Sequence, residues 1–158
     1  MEPNIVHTKE KRTVGQSITT SLAQDATVAL WRGFGPRARE VPFRLGQHRI
    51  SLQVYPPGYH DRFRPDVSYE KWALVEVSQW DACPQGMFPF TVPGGLYAVF
   101  RYKGPAGDLG IYQYIYGEWL PKSGYTLDQR PHFEVLGAHY DKGDANAQED
   151  IHIPIKVL

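Results

Sequence analysis

Residues 104–121 read GPAGDLGIYQYIYGEWLP, and the order of elements predicted for the second half of the chain is built around this segment. It predicts a helix that begins near Asp108 and is closed by Pro121, because proline interrupts helical hydrogen bonding. One face of this helix is an aromatic stripe at spacing i, i+3, i+4 and i+7. The stripe consists of Tyr112, Ile115, Tyr116 and Trp119.

Strands are predicted on both sides of this helix. Before it, FTVPGGLYAVFRY (90–102) is rich in β-branched and aromatic residues and is interrupted at Pro93-Gly94-Gly95. After it, HFEVLGAHY (132–140) and DIHIPIKV (150–157) predict two more strands. The second half therefore has the order strand, helix, strand, strand.

The first half repeats this order. TVGQSITTSL (13–22) predicts a strand with Gly15 as a candidate bulge, and strands follow at 50–57 and 71–80. Asp25 is the expected N-cap of the intervening helix, which should end near Gly35 because Pro36 follows. The buried face expected for this helix consists of Val28, Trp31 and Phe34.

A duplicated unit of this kind predicts an α+β fold, with an antiparallel sheet that carries two helices on one face. We expect one domain over residues 13–158, with halves at about 13–80 and 88–158, preceded by a flexible N-terminus at 1–12.

Composition excludes several classes of protein. The 158 residues are 42% hydrophobic and 22% charged, and their formal net charge is zero. A globular fold is therefore expected, without the excess of lysine and arginine that a broad nucleic-acid surface needs. Cys83 is the single cysteine, and no apolar run approaches the roughly 18 residues of a membrane span. The N-terminus lacks a signal-peptide core, so we expect a cytoplasmic protein with no membrane partner.

Strand alternation separates two faces in the predicted sheet. Ala73, Val75 and Val77 form an aliphatic face suited to a packed helix, and residues 50–54 and 133–135 also have an aliphatic side. We expect the helices to cover these aliphatic sides, so that the mixed aromatic and polar sides line a ligand groove on the opposite face. The alternative is an ordinary solvated sheet face.

Glu134 lies in the otherwise apolar stretch FEVLG. A buried carboxylate is costly unless donors or a cation satisfy it, so Glu134 is a candidate counter-charge for a ligand or a general acid/base. Glu76 in WALVEV raises the same question, and in both cases the alternative is a solvated strand residue.

Other motifs are weak. The six histidines have no metal-ligand spacing, no GxSxG is present, and PGGLY precedes a strand instead of opening a helix. No metal and no cofactor are expected.

Several segments together resemble the GyrI-like small-molecule-binding family, which belongs to the superfamily of effector-binding domains of AraC-type and MerR-type regulators. They are PGGLYAVFRYKGP (93–105), YIYGEWLPKSGYTLDQRPHFEVLG (114–137), EDIHIPIK (149–156), LWRGFGPR (30–37) and KWALVEV (71–77). The resemblance implies tandem units about a pseudo-twofold axis, with a concave aromatic site between the halves.

The resemblance also implies the site residues. The family's acidic pocket residue falls on Glu134, and Glu76 is a second candidate acid. The candidate aromatic walls are Tyr55, Trp72, Tyr97, Tyr112 and Trp119, of which Tyr112 and Trp119 could equally be helix core. Because the strand pattern begins by residue 13, no helix-turn-helix domain is expected, which indicates a standalone binding module.

Three functions are compatible with this resemblance. The first is a binder that senses or sequesters lipophilic aromatic compounds, cationic ones among them. The second is a hydrolase of strained cyclopropane genotoxins that uses Glu134. The third is a protein partner role like that of the gyrase inhibitor for which the family is named.

Overall fold

The computed structural model describes residues 1–104, 109–137 and 148–158. The strands are β1 (Asn4–Thr8), β2 (Lys11–Thr20), β3 (Arg49–Val54), β4 (Tyr69–Glu76), β5 (Phe88–Val92), β6 (Gly95–Lys103), β7 (Tyr125–Leu127), β8 (His132–Leu136) and β9 (Gln148–Val157). The helices are α1 (Thr27–Phe34), α2 (Leu109–Tyr114) and α3 (Leu120–Lys122); a 3-10 segment (Gly35–Glu40) follows α1, and a π-helical turn (Ile115–Trp119) joins α2 to α3. None of the helices in these described ranges is long and apolar enough to cross a bilayer.

The strands form one antiparallel sheet in the order β1-β6-β9-β8-β3-β4-β2-β5, and β7 pairs with β9 off this path. The predicted unit occurs twice, as β2-α1-β3-β4 and as β6-α2-β8-β9. Strands from both halves meet where β3 pairs with β8. The α+β fold with a duplicated unit is confirmed.

Two short connections force the sheet to curl. β5 lies at one end of the strand order and β6 lies next to the other end, yet only Pro93 and Gly94 separate them. β1 and β2 lie at similarly distant places and are joined by Lys9 and Glu10. Since two residues span only about 10 Å, the two ends of the sheet must approach each other. The interruption predicted at Pro93-Gly94-Gly95 is therefore the connection by which the chain passes from β5, at one edge of the sheet, to β6, next to the other edge.

The inside of the curl is filled by side chains from strands that are distant in the sheet order. Trp72 packs against Phe90 with ring centroids 4.9 Å apart, and Tyr97 packs against Phe133 at 5.4 Å. We call this group of side chains the inner core; its buried members are Ile50, Leu52, Trp72, Leu74, Val92, Tyr97 and Phe133. This interior is therefore a packed core.

Both helices lie on the outer face of the sheet. Leu30 and Phe34 of α1 pack against Ala73 and Val75, which confirms the helix-bearing side predicted for β4. Ile111 and Ile115 pack against a second cluster built from Phe100 and the isoleucines of β9.

Face assignment differs from the prediction for β3 and β8. Cross-strand partners share a face, and the register pairs Ala73 with Ser51 and Ser51 with Glu134. The polar sides of β3 and β8 therefore face the helices, while Ile50, Leu52 and Phe133 point into the curl. The expectation of a groove on the face opposite the helices is wrong for the described residues, because their apolar side chains fill that face.

Helix α1 also differs in detail from the prediction. Val28 is 42% exposed, and the buried pair is Leu30 and Phe34 at spacing i, i+4. Asp25 lies one residue before the N-cap position, where its carboxylate accepts hydrogen bonds from the backbone and hydroxyl of Thr27. The predicted end at Gly35 is confirmed.

The second helix passes through Pro121 and ends at Lys122. Proline is tolerated there because it lies in the first turn of α3, directly after the π-helical turn. The predicted start near Asp108 lies outside the described residues, as do residues 138–140 of the strand predicted at 132–140; β8 ends at Leu136.

The N-terminal segment is ordered, contrary to the flexibility expected for residues 1–12. β1 pairs with β6 in the register Asn4 to Val99 through Thr8 to Gly95, and Val6 packs against the inner core. The free edge of β6 supplies backbone partners that a polar sequence alone does not reveal.

Gly15 is not a bulge. Its pairing with β4 continues in regular register on both sides, and a Cβ at this position would lie 1.8 Å from the carbonyl oxygen of Ala73. Glycine is needed here for close approach of the backbones.

Gly94 lies where the two short connections touch. A Cβ added there would lie 2.7 Å from the carbonyl oxygen of Thr8 and 2.8 Å from the backbone nitrogen of Glu10. We expect Gly94→Ala to lower the free energy of unfolding by about 2 kcal/mol or more, because backbone atoms cannot move aside as a side chain can. Urea denaturation measures this change.

The matched control is Gly117→Ala in the π-helical turn, where an added Cβ meets nothing within 4 Å. This variant should be neutral or stabilised by up to about 1 kcal/mol. Equal stability of Gly94→Ala and the wild-type chain would contradict the role assigned to the contact between the connections.

Candidate functional site

A polar patch lies on the outer face of the sheet, where β3 pairs with β8. Ser51 lies opposite Glu134 and Gln53 opposite His132. All four side chains are buried, and Glu134 is only 8% exposed. The site therefore belongs to the strand pair that joins the two halves.

Both carboxylate oxygens of Glu134 accept a hydrogen bond from a neutral donor. The Tyr112 hydroxyl donates to Oε1 at 2.7 Å, and Nε2 of Gln53 donates to Oε2 at 3.0 Å. Within the described part of the chain, no lysine or arginine nitrogen lies within 4.0 Å of this carboxylate. Hydrogen bonds therefore hold Glu134 in place without neutralising it.

Two further buried charges share the outer face. Lys71 is the cross-strand partner of Gln53, and Glu149 is the partner of Leu136. Carboxylates therefore outnumber cations among the buried charged residues described on this face.

A group of aromatic rings lies beside Glu134. His60 stacks on His132 with centroids 4.8 Å apart, and Tyr55 stacks on Tyr59 at 4.4 Å. The hydroxyl of Tyr116 lies 2.8 Å from Nδ1 of His132. We call this group the aromatic cluster; it consists of Tyr55, Tyr59, His60, Tyr69, Tyr116 and His132.

Burial sets the charge state of these rings. It raises the pKa of Tyr55, Tyr69, Tyr112 and Tyr116, and the negative charge of Glu134 raises the pKa of each hydroxyl further. Burial lowers the pKa of His60 to about 4 and that of His132 well below its usual value. At neutral pH the aromatic cluster is therefore uncharged.

A cavity of about 380 Å³ opens beside the aromatic cluster. Its walls include Tyr59, His60, Tyr116 and His132, and Glu134 is not among its lining residues. Tyr116 and His132 thus contact the cavity on one side and belong to the patch around Glu134 on the other.

The structure brings together three of the predicted site residues. Glu134 and Tyr112 are hydrogen-bonded, and Tyr55 packs edge-on against His132 with centroids 4.9 Å apart. These three predicted residues lie close together in the structure, and their role in binding stays a prediction.

Trp72 and Tyr97 lie on the inner face, away from Glu134. Trp72 donates its indole N–H to Glu70, and the Tyr97 hydroxyl donates to the carbonyl of Pro93 at 2.6 Å. Both are members of the inner core, because the curl turns their side of the sheet inward.

Glu76 lies at the end of β4, where its carboxylate is 3.0 Å from Nε2 of His48. Trp119 packs edge-on against Phe100 with centroids 5.1 Å apart. Neither residue is brought to Glu134. The π-helical turn explains Trp119: an extra residue in the turn rotates it away from the side on which Tyr112 and Tyr116 lie.

Sequence reasoning missed several members of the site. His132 was detectable, because alternation places it on the same face as Glu134, and Tyr116 was part of the aromatic stripe. Gln53 was detectable only with the register of β3 against β8. No periodic signal marks Tyr59 and His60, since they lie in a turn-rich loop.

Within the described ranges no group of three or more histidine, cysteine, aspartate or glutamate residues could hold a metal ion. The site thus consists of a carboxylate with neutral donors and uncharged aromatic rings, and the adjoining cavity is also lined by Asp61, Asp128, Arg130 and Lys156.

Comparison with known proteins places this architecture in a class of small-molecule-binding domains. The family model described as the GyrI-like small molecule binding domain matches residues 1–156, and the chain belongs to this family. The predicted resemblance is confirmed.

Relatives include regulators. The chain is 30% identical over 160 residues to the transcriptional regulator BrlR of Pseudomonas aeruginosa, a match that covers 98% of this chain and 56% of the regulator. The chain thus spans about half the length of this curated relative.

Two solved structures share the fold. SAV2435 bound to tetraphenylphosphonium has a TM-score of 0.75 at 16% identity, covering 99% of this chain and 94% of that one. EcmrR in its DNA complex, determined by cryo-electron microscopy, has a TM-score of 0.73 at 13% identity, covering 99% and 58%.

The lowered pKa values of the buried histidines predict loss of stability in acid. Above pH 6.5 they are neutral in the folded and unfolded chain alike. Between about pH 6.5 and 4 the unfolded chain binds protons that folded His60 does not, so stability falls as pH decreases. In His60→Gln this slope should be shallower by about 1 kcal/mol per pH unit near pH 5.

Urea denaturation at several pH values measures the slope. The control His7→Gln changes an exposed histidine of β1 and should keep the wild-type slope. An unchanged slope in His60→Gln would show that His60 takes up its proton equally well in the folded chain.

Proposed function

We propose that this chain binds lipophilic aromatic compounds at Glu134 and the aromatic cluster, with a preference for cations, and that it senses or sequesters them. Membership of the GyrI-like small molecule binding domain family establishes the general class. The preference for aromatic cations is the part proposed here.

The carboxylate of Glu134 carries this proposal. It is buried, and its two side-chain hydrogen-bond donors, Tyr112 and Gln53, are neutral. A ligand cation about 5 Å away would gain about 3 kcal/mol from this charge at an effective dielectric constant of about 20. A neutral ligand of the same shape would gain none of this energy.

The aromatic cluster supplies the second contribution. A cation over the face of a tyrosine ring gains roughly 0.5–2 kcal/mol, depending on desolvation. Flat rings also offer apolar area at little cost in side-chain entropy. The tetraphenylphosphonium bound to SAV2435 is a cation enclosed by four phenyl groups, which supports the same ligand class for this chain.

The relation to regulators supports a sensing role. BrlR is a transcriptional regulator, and the match to this chain covers 56% of its length. We therefore propose that a bound ligand is a signal that another component of a regulatory system detects. Sequestration of the ligand would require only the binding site itself.

Glu134→Gln tests the role of the charge. Glutamine keeps the shape and still accepts a hydrogen bond from Tyr112, but it removes the negative charge. We expect binding of tetraphenylphosphonium to weaken about tenfold or more, and binding of the uncharged triphenylphosphine oxide to change less than about twofold. Isothermal titration calorimetry at pH 8 measures both affinities.

Glu76→Gln is the matched control, because it removes an equal charge from a strand end outside the site. It should leave both affinities unchanged. If Glu134→Gln weakens both ligands equally, the carboxylate is not a counter-charge. If the wild-type chain binds neither compound, the proposed ligand class is wrong.

A further inference from the structure

The ring of His60 covers a surface formed by two other rings of the aromatic cluster. Its centroid is 4.8 Å from that of His132 with the planes 14° apart, and 4.7 Å from that of Tyr116 with the planes 31° apart. Tyr116 and His132 are themselves 6.0 Å apart. Their planes are 43° apart, so the two rings form an angled surface. We call these two residues the aromatic floor, and the single ring of His60 lies on both of them.

Ring contacts hold His60 on this floor. No residue in the described ranges makes a hydrogen bond to its ring nitrogens, and the side chain is half-buried. Burial also lowers its pKa to about 4, because desolvation disfavours the charged imidazolium.

His60 belongs to the connection between β3 and β4. The tip of this connection consists of two tight turns, in which the backbone N–H groups of Tyr59 and Asp61 donate to the carbonyls of Pro56 and Gly58, each at 3.1 Å. Gln129 anchors the start of the connection through a 3.0 Å hydrogen bond to the carbonyl of Tyr55. His60 thus lies on a short turn segment next to an anchored residue.

The cavity of about 380 Å³ adjoins this arrangement. His60, Tyr116 and His132 all line it, whereas Glu134 does not. Both residues of the floor, and the ring that covers it, therefore border the cavity.

We infer that the aromatic floor of Tyr116 and His132 is a subsite for one planar aromatic ring of a ligand, and that His60 occupies this subsite in the free protein. The inference rests on the proposed function, because it assigns a position to part of the proposed ligand. A ligand ring takes the place of His60 on the floor. His60 is thus an internal competitor of the ligand.

The direction in which one substitution changes the ligand affinity tests this inference. A wall residue strengthens binding, so its truncation weakens the complex, whereas truncation of a competitor raises the apparent affinity by freeing the binding-competent state. We expect His60→Ala to bind the flat cation N-methylacridinium about five- to tenfold more tightly than the wild-type chain does. Calorimetry at pH 8, where His60 is neutral, measures the ratio.

Two variants control for other effects. Phe63→Ala truncates an exposed residue of the same connection and should leave the affinity unchanged. Tyr116→Leu removes half of the floor and should weaken binding about tenfold. A gain for Phe63→Ala equal to that of His60→Ala would indicate general loosening of the connection and would overturn the inference.

Nuclear magnetic resonance of the wild-type chain provides a second readout. The ring protons of His60 are shielded by the floor in the free protein, and they should move towards the positions of free imidazole when N-methylacridinium binds. Further shielding would mean that the ligand stacks on His60, and would overturn the inference.

The two proposals fail in different ways. Binding that is unchanged or weakened in His60→Ala overturns the subsite alone. Failure of both chains to bind N-methylacridinium, together with failure of the wild-type chain to bind tetraphenylphosphonium, overturns the proposed function and the subsite with it.

Discussion

The curl of the sheet rests on the contact between two connections of two residues each. Lys9-Glu10 and Pro93-Gly94 both link strands from opposite ends of the sheet order, and Gly94 is the point at which they touch. Connections this short cannot span an open sheet of eight strands, whose neighbours are each about 4.8 Å apart. The sheet must therefore close partly on itself, and one of its faces becomes an interior.

Formation of this interior decides where the site lies. The inner face takes the apolar sides of β3 and β8 together with Trp72 and Leu74 of β4, so the polar sides of β3 and β8 are left for the outer face beneath the helices. Glu134 lies there with Gln53 beside it, and α2 brings the Tyr112 hydroxyl to its other oxygen. A buried carboxylate is tolerated there because two neutral donors satisfy its oxygens.

The π-helical turn then distributes the aromatic residues of the second helix. On a regular helix, Tyr112, Tyr116 and Trp119 would share one stripe. The additional residue in the turn leaves Tyr112 and Tyr116 beside Glu134 and His132, and turns Trp119 towards Phe100. The connection that carries Tyr59 and His60 completes the aromatic surround from the other half of the chain.

Local periodicity and short motifs were enough to predict the duplicated strand, helix, strand, strand order, the end of α1 before Pro36, and the family. The face that becomes the interior was established by the folded sheet, whose curl places Trp72 and Tyr97 away from the candidate site. Alternation sorts side chains into two sets but cannot say which set is enclosed, because that depends on contacts between strands far apart in the chain. Likewise, no local pattern predicts that a loop residue such as His60 packs on a strand residue more than 70 positions away.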